Sequence, residues 1–209
     1  MNYKKEAGLP YPQPWEFVLT VLKNAKNLRF VDVGAYDGLV VSNTAYMEMD
    51  LGWTGVCIEP NPAPFSKLQL NRISKNYNCC ISEKECNLDF ICVEGYAEML
   101  SCLYSDCSVQ HMQRITDEIS KHGGSCKILQ VKSKTLNDVF EENEFDSISY
   151  LSVDTEGAEL SVVRSLDYAK YKVDIISIEN NNNDAGDYLV NNGYSYITTV
   201  CGDAIFKLK

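Results

Sequence analysis

Apolar and polar positions change period repeatedly along the chain and divide it into short alternating segments. Residues 1–13 are polar and broken by Pro10 and Pro12, a lead-in arm. Pro14 takes the place of a first helical residue, and Trp15, Val18, Leu19 and Leu22 follow at the spacing of one helix face. LRFVDV (28–33) reads as a buried strand, and SNTAYMEMDL (42–51) as a short helix closed by Gly52. TGVCIE (54–59) is the next strand, and Asn61-Pro62 opens a helix carrying Phe65 and Leu68.

YNCCIS (77–82) continues the alternation, and NLDFICV (87–93) is apolar enough for an extra strand. Residues 108–121 predict a helix with Val109, Met112, Ile115 and Ile119 on one face, ended by Gly123-Gly124. CKILQVK (126–132), a helix from Thr135, SISYLSV (147–153), a helix from Gly157, VDIISIE (173–179) and a helix near 185–192 follow. YSYITTV, Cys201-Gly202-Asp203 and AIFKLK then predict a terminal antiparallel hairpin. Strands alternating with helices imply a mostly parallel sheet covered on both faces, in one α/β domain over 1–209. Within it, 1–27 form the arm and first helix, and about 94–125 form an insertion placed to wall a substrate site.

Charge narrows the partners. Nineteen basic against 29 acidic residues leave −10, which disfavours nucleic acid and anionic lipid. No apolar run approaches the ~20 residues of a membrane span, and no signal core opens the chain. The nine cysteines include no C-x-x-C pair, and Cys57, Cys92 and Cys126 sit in strand-like apolar stretches. The expectation is reduced structural thiols in a soluble, cytoplasmic protein; oligomeric state leaves no signal.

Candidate chemistry gathers at strand ends, where open α/β sheets bind ligands. The first strand runs into Asp32-Val33-Gly34-Ala35-Tyr36-Asp37-Gly38. Tyr36 replaces the second glycine of a dinucleotide loop, and Asp32 and Asp37 repel phosphates. An NAD-dependent oxidoreductase is thereby disfavoured, and a neutral or cationic adenosine ligand suits the turn better. Glu59, before Pro60, ends the second strand about 20 residues beyond the turn, where a carboxylate suits two ribose hydroxyls. Capping of the following helix is its alternative role. Asp154 ends the strand at 147–153 and precedes Thr155, Glu156 and Gly157; helix-start acids explain Glu156 better than Asp154. Glu179 ends the next strand beside Asn180, so Asp154 and Glu179 are expected to face one cleft.

VDVGAYDGLVVSNT, GWTGVCIEPNPAPFSKLQLNR, VKSKTLNDVF, YLSVDTEGAELSVV and the IEN-to-NGY tail resemble the FkbM-type methyltransferase family, in the same order, from about residue 29 to 197. The resemblance implies the class I methyltransferase fold, a Rossmann-like seven-stranded sheet ordered 3-2-1-4-5-7-6 with strand 7 antiparallel. It implies use of S-adenosylmethionine to methylate hydroxyl oxygens, often of sugars. Asp32, Gly34, Ala35, Asp37 and Gly38 match the cofactor turn, and Ser42 and Asn43 the helix start that follows. Glu59 matches the ribose carboxylate, Ser82 a position near the adenine, and Asp154, Glu156 and Gly157 the DxEG element. Two departures stand out: Pro-Tyr-Pro-Gln-Pro-Trp where many relatives carry a Ser-Gln motif, and Asn180 where many carry His.

The reading favoured is methyl transfer to a sugar hydroxyl on a small-molecule or glycan acceptor. Asp154 is the first candidate base, helped by Glu179 or Glu156, and His111 competes for the role. The acids also form an oxygen-only set suited to Mg²⁺ or Ca²⁺, but the reading without a metal is preferred. A non-sugar acceptor and a non-catalytic adenosine-binding module are the alternatives.

Overall fold

The computed structural model describes residues 13–179 and 184–209; most of the lead-in arm and Asn180 lie outside the described residues. The larger of two sheets sets seven strands side by side: β3 (Lys75–Tyr77), β2 (Thr54–Ile58), β1 (Arg29–Val33), β8 (Ser147–Val153), β9 (Lys172–Glu179), β11 (Asp203–Leu208) and β10 (Tyr194–Val200). Neighbours from β3 to β9 are parallel, and β11 is antiparallel to both β9 and β10. Counted within this sheet, the order is 3-2-1-4-5-7-6, as the resemblance implies.

Helices cover both faces. On one, Val18 and Leu19 of α1 (Pro14–Val21), Met47 of α2 (Ala45–Leu51) and Leu68 of α3 (Pro62–Asn71) pack with Phe30, Tyr150 and Ile175. On the other, α5 (Leu136–Glu142), α6 (Glu159–Arg164) and α7 (Asp184–Asn191) set Phe140, Val163 and Leu189 against Val31, Val33, Leu151 and Ile176. Successive β1 residues thus enter opposite cores, which is why LRFVDV is apolar almost throughout. Asp32, on the face of Phe30, is the polar exception.

Its burial is made tolerable from α3. Arg72, with its side chain fully buried, pairs with Glu48 at 2.7 Å. The same guanidinium donates to the Gly38 carbonyl at 3.1 Å and to Thr44 Oγ1 at 3.0 Å. Thr44 Oγ1–H in turn donates a hydrogen bond to Asp32 Oδ2 at 2.5 Å. Glu48 also accepts from the backbone N–H groups of Ile73 and Ser74. Burial raises the Asp32 pKa, although Arg72 and Thr44 oppose the shift. One cation thus ties α2, α3, β1 and the turn after β1 together.

The second sheet departs from the alternating scheme. Its order is β4 (Cys80–Ile81), β7 (Gly124–Lys134), β5 (Asn87–Gly95), β6 (Cys102–Leu103). CKILQVK therefore does not join the main sheet but pairs antiparallel with β5 from Asn87↔Lys132 to Gly95↔Gly124. Lys127, Gln130 and Lys132 interrupt its apolar run, and a strand buried on both faces does not tolerate them. Cys126 is exposed there, whereas Cys57 and Cys92 are buried as expected. YNCCIS splits, its first residue in β3 and Cys80-Ile81 in β4. Between β5 and β7 lie a 3₁₀ turn at Glu98–Leu100, β6 and α4 (Val109–His122). Ile115 is the buried residue of α4, while Val109, expected on its apolar face, is exposed. The helix expected from Ser42 begins at Ala45, because Ser42 Oγ accepts from the Thr44 and Ala45 N–H groups and holds a turn there.

Arg72→Leu is expected to cost ~3–5 kcal/mol, the range for a buried pair that loses one partner. Urea unfolding measures this, and the Glu48→Gln/Arg72→Leu double variant should cost less than the single one. Equal costs would show that the charge left on Glu48 does not matter.

Candidate active site

Gly34 marks the crevice between the ends of β1 and β8. It has φ +87°, and a Cβ there would lie 1.7 Å from the Asp154 carbonyl oxygen, so no side chain fits. The Asp154 N–H reaches Val33 O at 2.9 Å, and the Gly34 and Ala35 N–H groups both reach Ile58 O at 3.0 Å. Three strand ends are thereby tied at one point. Asp37 and Gly38 shape the turn from behind: Asp37 Oδ1 accepts from Leu39 and Val40 N–H, and Gly38 packs on Leu68 and Arg72.

Glu59 and Asp154 line one cleft on either side of Gly34. With its open mouth it measures about 700 Å³. Glu59 Oε2 accepts from Tyr36 N–H at 2.9 Å and Oε1 from Asn61 N–H at 2.7 Å. Each oxygen keeps a lone pair for a further donor. Burial lifts the Glu59 pKa to about 7 against those two bonds. Asn61 also caps α3 through Ala63 N–H, so the capping role considered for Glu59 is filled by its neighbour. Pro60 lines the cleft, and Cys80, Ile81, Phe90 and Leu103 give it an apolar side. Ser82 stands beyond that lining, its N–H bonded to Lys134 O and its hydroxyl to Lys84 O. Tyr36, with φ +51°, lines the cleft and donates its hydroxyl to Glu98 at 2.6 Å, and Glu98 also pairs with Lys67 at 2.7 Å.

A second recess continues from the first, sharing Gly34, Tyr36, Met99 and Asp154 with it and adding Asp32, Ala35, Ser42, Asn43 and Ser152. Beside it, carboxylate oxygens of Asp154, Glu156 and Glu179 lie within 4.8 Å of one another, the set that would hold a hard cation. The Asp154 side chain opens onto the cleft, but the walls remove most bulk water. That desolvation, then Glu179, Asp203 and Glu156, hold its pKa well above the ordinary range. Burial and then Glu179 raise Glu156 to about 7, with Arg114 opposing. Burial raises Asp203 to about 7, with an Asn43 hydrogen bond opposing and Glu179 adding to the rise. Glu159 holds the DTEG turn, accepting from Thr155 N–H, Thr155 hydroxyl and Gly157 N–H.

His111 does not line the cleft but stands behind Glu156. Its Nε2–H donates to Leu100 O at 2.8 Å, which leaves Nδ1 toward Glu156 Oε2 at 3.5 Å. Tyr36, Glu98 and Asp203 were not among the sequence candidates. Tyr36 carries its own signal, as the bulky residue in place of a glycine. Glu98 and Asp203 carry none, because the insertion and the antiparallel register bring them in.

The strand order and the crevice at Gly34 define a class I methyltransferase fold. The family model for the methyltransferase FkbM domain matches residues 32–196, and the chain belongs to the FkbM methyltransferase family. A methyltransferase FkbM of known structure from Methylobacillus flagellatus KT superposes with TM-score 0.51 at 14% identity, over 87% of this chain and 43% of that one. This chain thus spans less than half of that relative's length. Precorrin-6y C5,15-methyltransferase from Geobacter metallireducens GS-15 gives 0.44 at 10% identity, over 97% and 90% of the two chains. Among curated proteins, none matches the chain. No helix among the described residues is long and apolar enough to cross a membrane.

Glu59, Glu156 and Asp203 each bind a proton more tightly folded than unfolded, where carboxyls titrate near ~4. The folded chain therefore carries more protons between the two values. Its stability should be full below about pH 4 for this contribution, fall as pH rises through about 7, and level off above. Urea midpoints at pH 5.5, 6.5 and 8 should decline in that order, more gently in Asp203→Asn. A midpoint that climbs toward pH 8 contradicts the assignment.

Proposed function

We propose that the cleft binds S-adenosylmethionine and directs its methyl group to a hydroxyl oxygen, above all of a sugar in a small molecule or glycan. The observation that carries this reading is the placement of Glu59 and Asp154 in one cleft on either side of Gly34. Among the described residues lining the two recesses there is no Lys or Arg, which suits a ribose-bearing cationic ligand and not a polyphosphate. When bound, the cofactor supplies an electrophilic methyl group on a sulfonium.

The chain supplies placement and a proton acceptor. Glu59, held by two backbone N–H groups, accepts the ribose hydroxyls, and Cys80, Ile81 and Phe90 cover the base. Asp32, Ser42 and Asn43 form the far recess. Asp154 accepts the acceptor's hydroxyl proton as the new bond forms, while Glu179 and Glu156 orient the alcohol. A raised pKa makes Asp154 a better base than an ordinary carboxylate, although it must be ionised to act. Alignment of the alcohol with the methyl group supplies up to ~7–11 kcal/mol, and the base ~10²–10⁴-fold. His111 steadies Glu156 from α4 and does not take the proton itself. Glu98, Met99, Ser101 and Leu103 make the insertion the wall of the acceptor site in a single-domain chain. Acids around the reacting position favour an uncharged acceptor over an anionic polymer, and nine free thiols suit a reducing, cytoplasmic setting.

The direct test is mass spectrometry of a glycoside panel incubated with labelled cofactor; no mass gain on any hydroxyl compound opposes the reading. Glu59→Ala should weaken S-adenosylhomocysteine binding by ~1.5–3 kcal/mol in calorimetry, the range for charged hydrogen bonds, and unchanged affinity in a folded variant removes the ribose role. Asp154→Asn should lose ~10²-fold or more in kcat with near-native cofactor affinity, without rescue by Mg²⁺. Normal turnover in that variant would move the base to Glu179.

A further inference from the structure

Asp203 opens β11, and antiparallel pairing sets it opposite Glu179 at the end of β9. Its Oδ2 accepts from Asn43 Nδ2 at 3.1 Å, and the same amide nitrogen donates to Ser152 Oγ at 3.3 Å. An amide has its two donors on nitrogen and only acceptors on oxygen, and Asp203 Oδ2 accepts from it whether or not the carboxyl carries a proton on Oδ1. Asp203 therefore decides which end of the Asn43 amide faces it. With both N–H groups taken by Asp203 and Ser152, what Asn43 has left to offer a ligand is Oδ1, an acceptor. Asn43, Ser152 and Asp154 line the second recess, which joins the Glu59 recess at Gly34.

We infer that Asp203 is a positioning residue: it pins the Asn43 amide so that Oδ1 faces the second recess and accepts from the α-ammonium of an S-adenosyl ligand's amino-acid end. This rests on the methyltransferase reading and adds where that end of the ligand is recognised. A ligand whose ribose is held at Glu59 reaches the second recess past Gly34 and Asp154. Asp32 and Asp154 border it, so a cation is favoured there, and Asn43 Oδ1 adds a neutral acceptor to the two acids. Asp203 itself touches Asn43 and not the ligand.

The test compares two ligands by calorimetry on the full chain. S-Adenosylhomocysteine carries the amino-acid end, and 5′-methylthioadenosine shares the adenosine and the thioether sulfur but lacks that end. Asp203→Ala should weaken S-adenosylhomocysteine by ~10-fold or more, the effect of about one charged hydrogen bond, and leave 5′-methylthioadenosine within ~2-fold. Asp203→Asn, which returns an acceptor oxygen to the same place, should restore most of the lost affinity. Asn43→Ala should show the same selective loss, and it decides the matter if Asp203→Ala does not fold. Equal weakening of both ligands, or weakening of neither, overturns the assignment. A wild-type chain that binds neither ligand overturns the methyltransferase reading beneath it, a result read before any variant is made.

Discussion

One buried guanidinium underlies the geometry of this molecule. Arg72 reaches Glu48, Thr44, Ser42 and the Gly38 carbonyl at once, and through Thr44 it reaches Asp32. β1, the turn after it and α2 follow one another in the chain, and the end of α3 holds them together at one charge. From behind, Asn71 Nδ2 bonds the Asp37 carbonyl of the turn after β1 and Arg72 bonds the Gly38 carbonyl. A charge inside a core is expensive in isolation, and here each of its hydrogen-bonding partners is oxygen. The ligand-facing side of the turn inherits its shape from a side chain that lines neither recess.

Behind the turn, acid is paired with cation; in front of it, acid faces acid. Glu48 has Arg72, but Asp154, Glu156, Glu179 and Asp203 gather at one end of the cleft, where Arg114 and His111 approach Glu156 from the insertion. Like charges gathered in a partly dried cleft hold protons that solvent-exposed carboxyls would release. The front can therefore change its charge near neutrality.

The strand-end acids were legible in the sequence because their cause is local. Glu59, Asp154 and Glu179 each close an apolar run that reads as a strand, and the fold class then brings those ends to one edge, while Asp32 lies one residue inside β1. Strand order came from motif resemblance, since periodicity alone does not order strands. Periodicity also gave no means of telling a central strand from one in a separate sheet, and CKILQVK was misplaced for that reason. Ser82 was placed near the adenine by its position after the third strand. That strand breaks at Asn78-Cys79, and Ser82 leaves with the second sheet. Asp203 was invisible, because only the hairpin register carries it to Glu179.

The contact between Gly34 and the Asp154 carbonyl joins positions far apart in the chain. As the polypeptide emerges during synthesis, β1 and β2 are complete long before β8, and the β8-side edge of β1 stays open meanwhile. The second sheet lies between them in sequence and pairs almost entirely with itself, β5 against β7. It can therefore organise while the main sheet waits for its central partner. The crevice is accordingly among the last features to close, and a nascent chain released before β8 carries the acidic turn and Glu59 without the opposite wall.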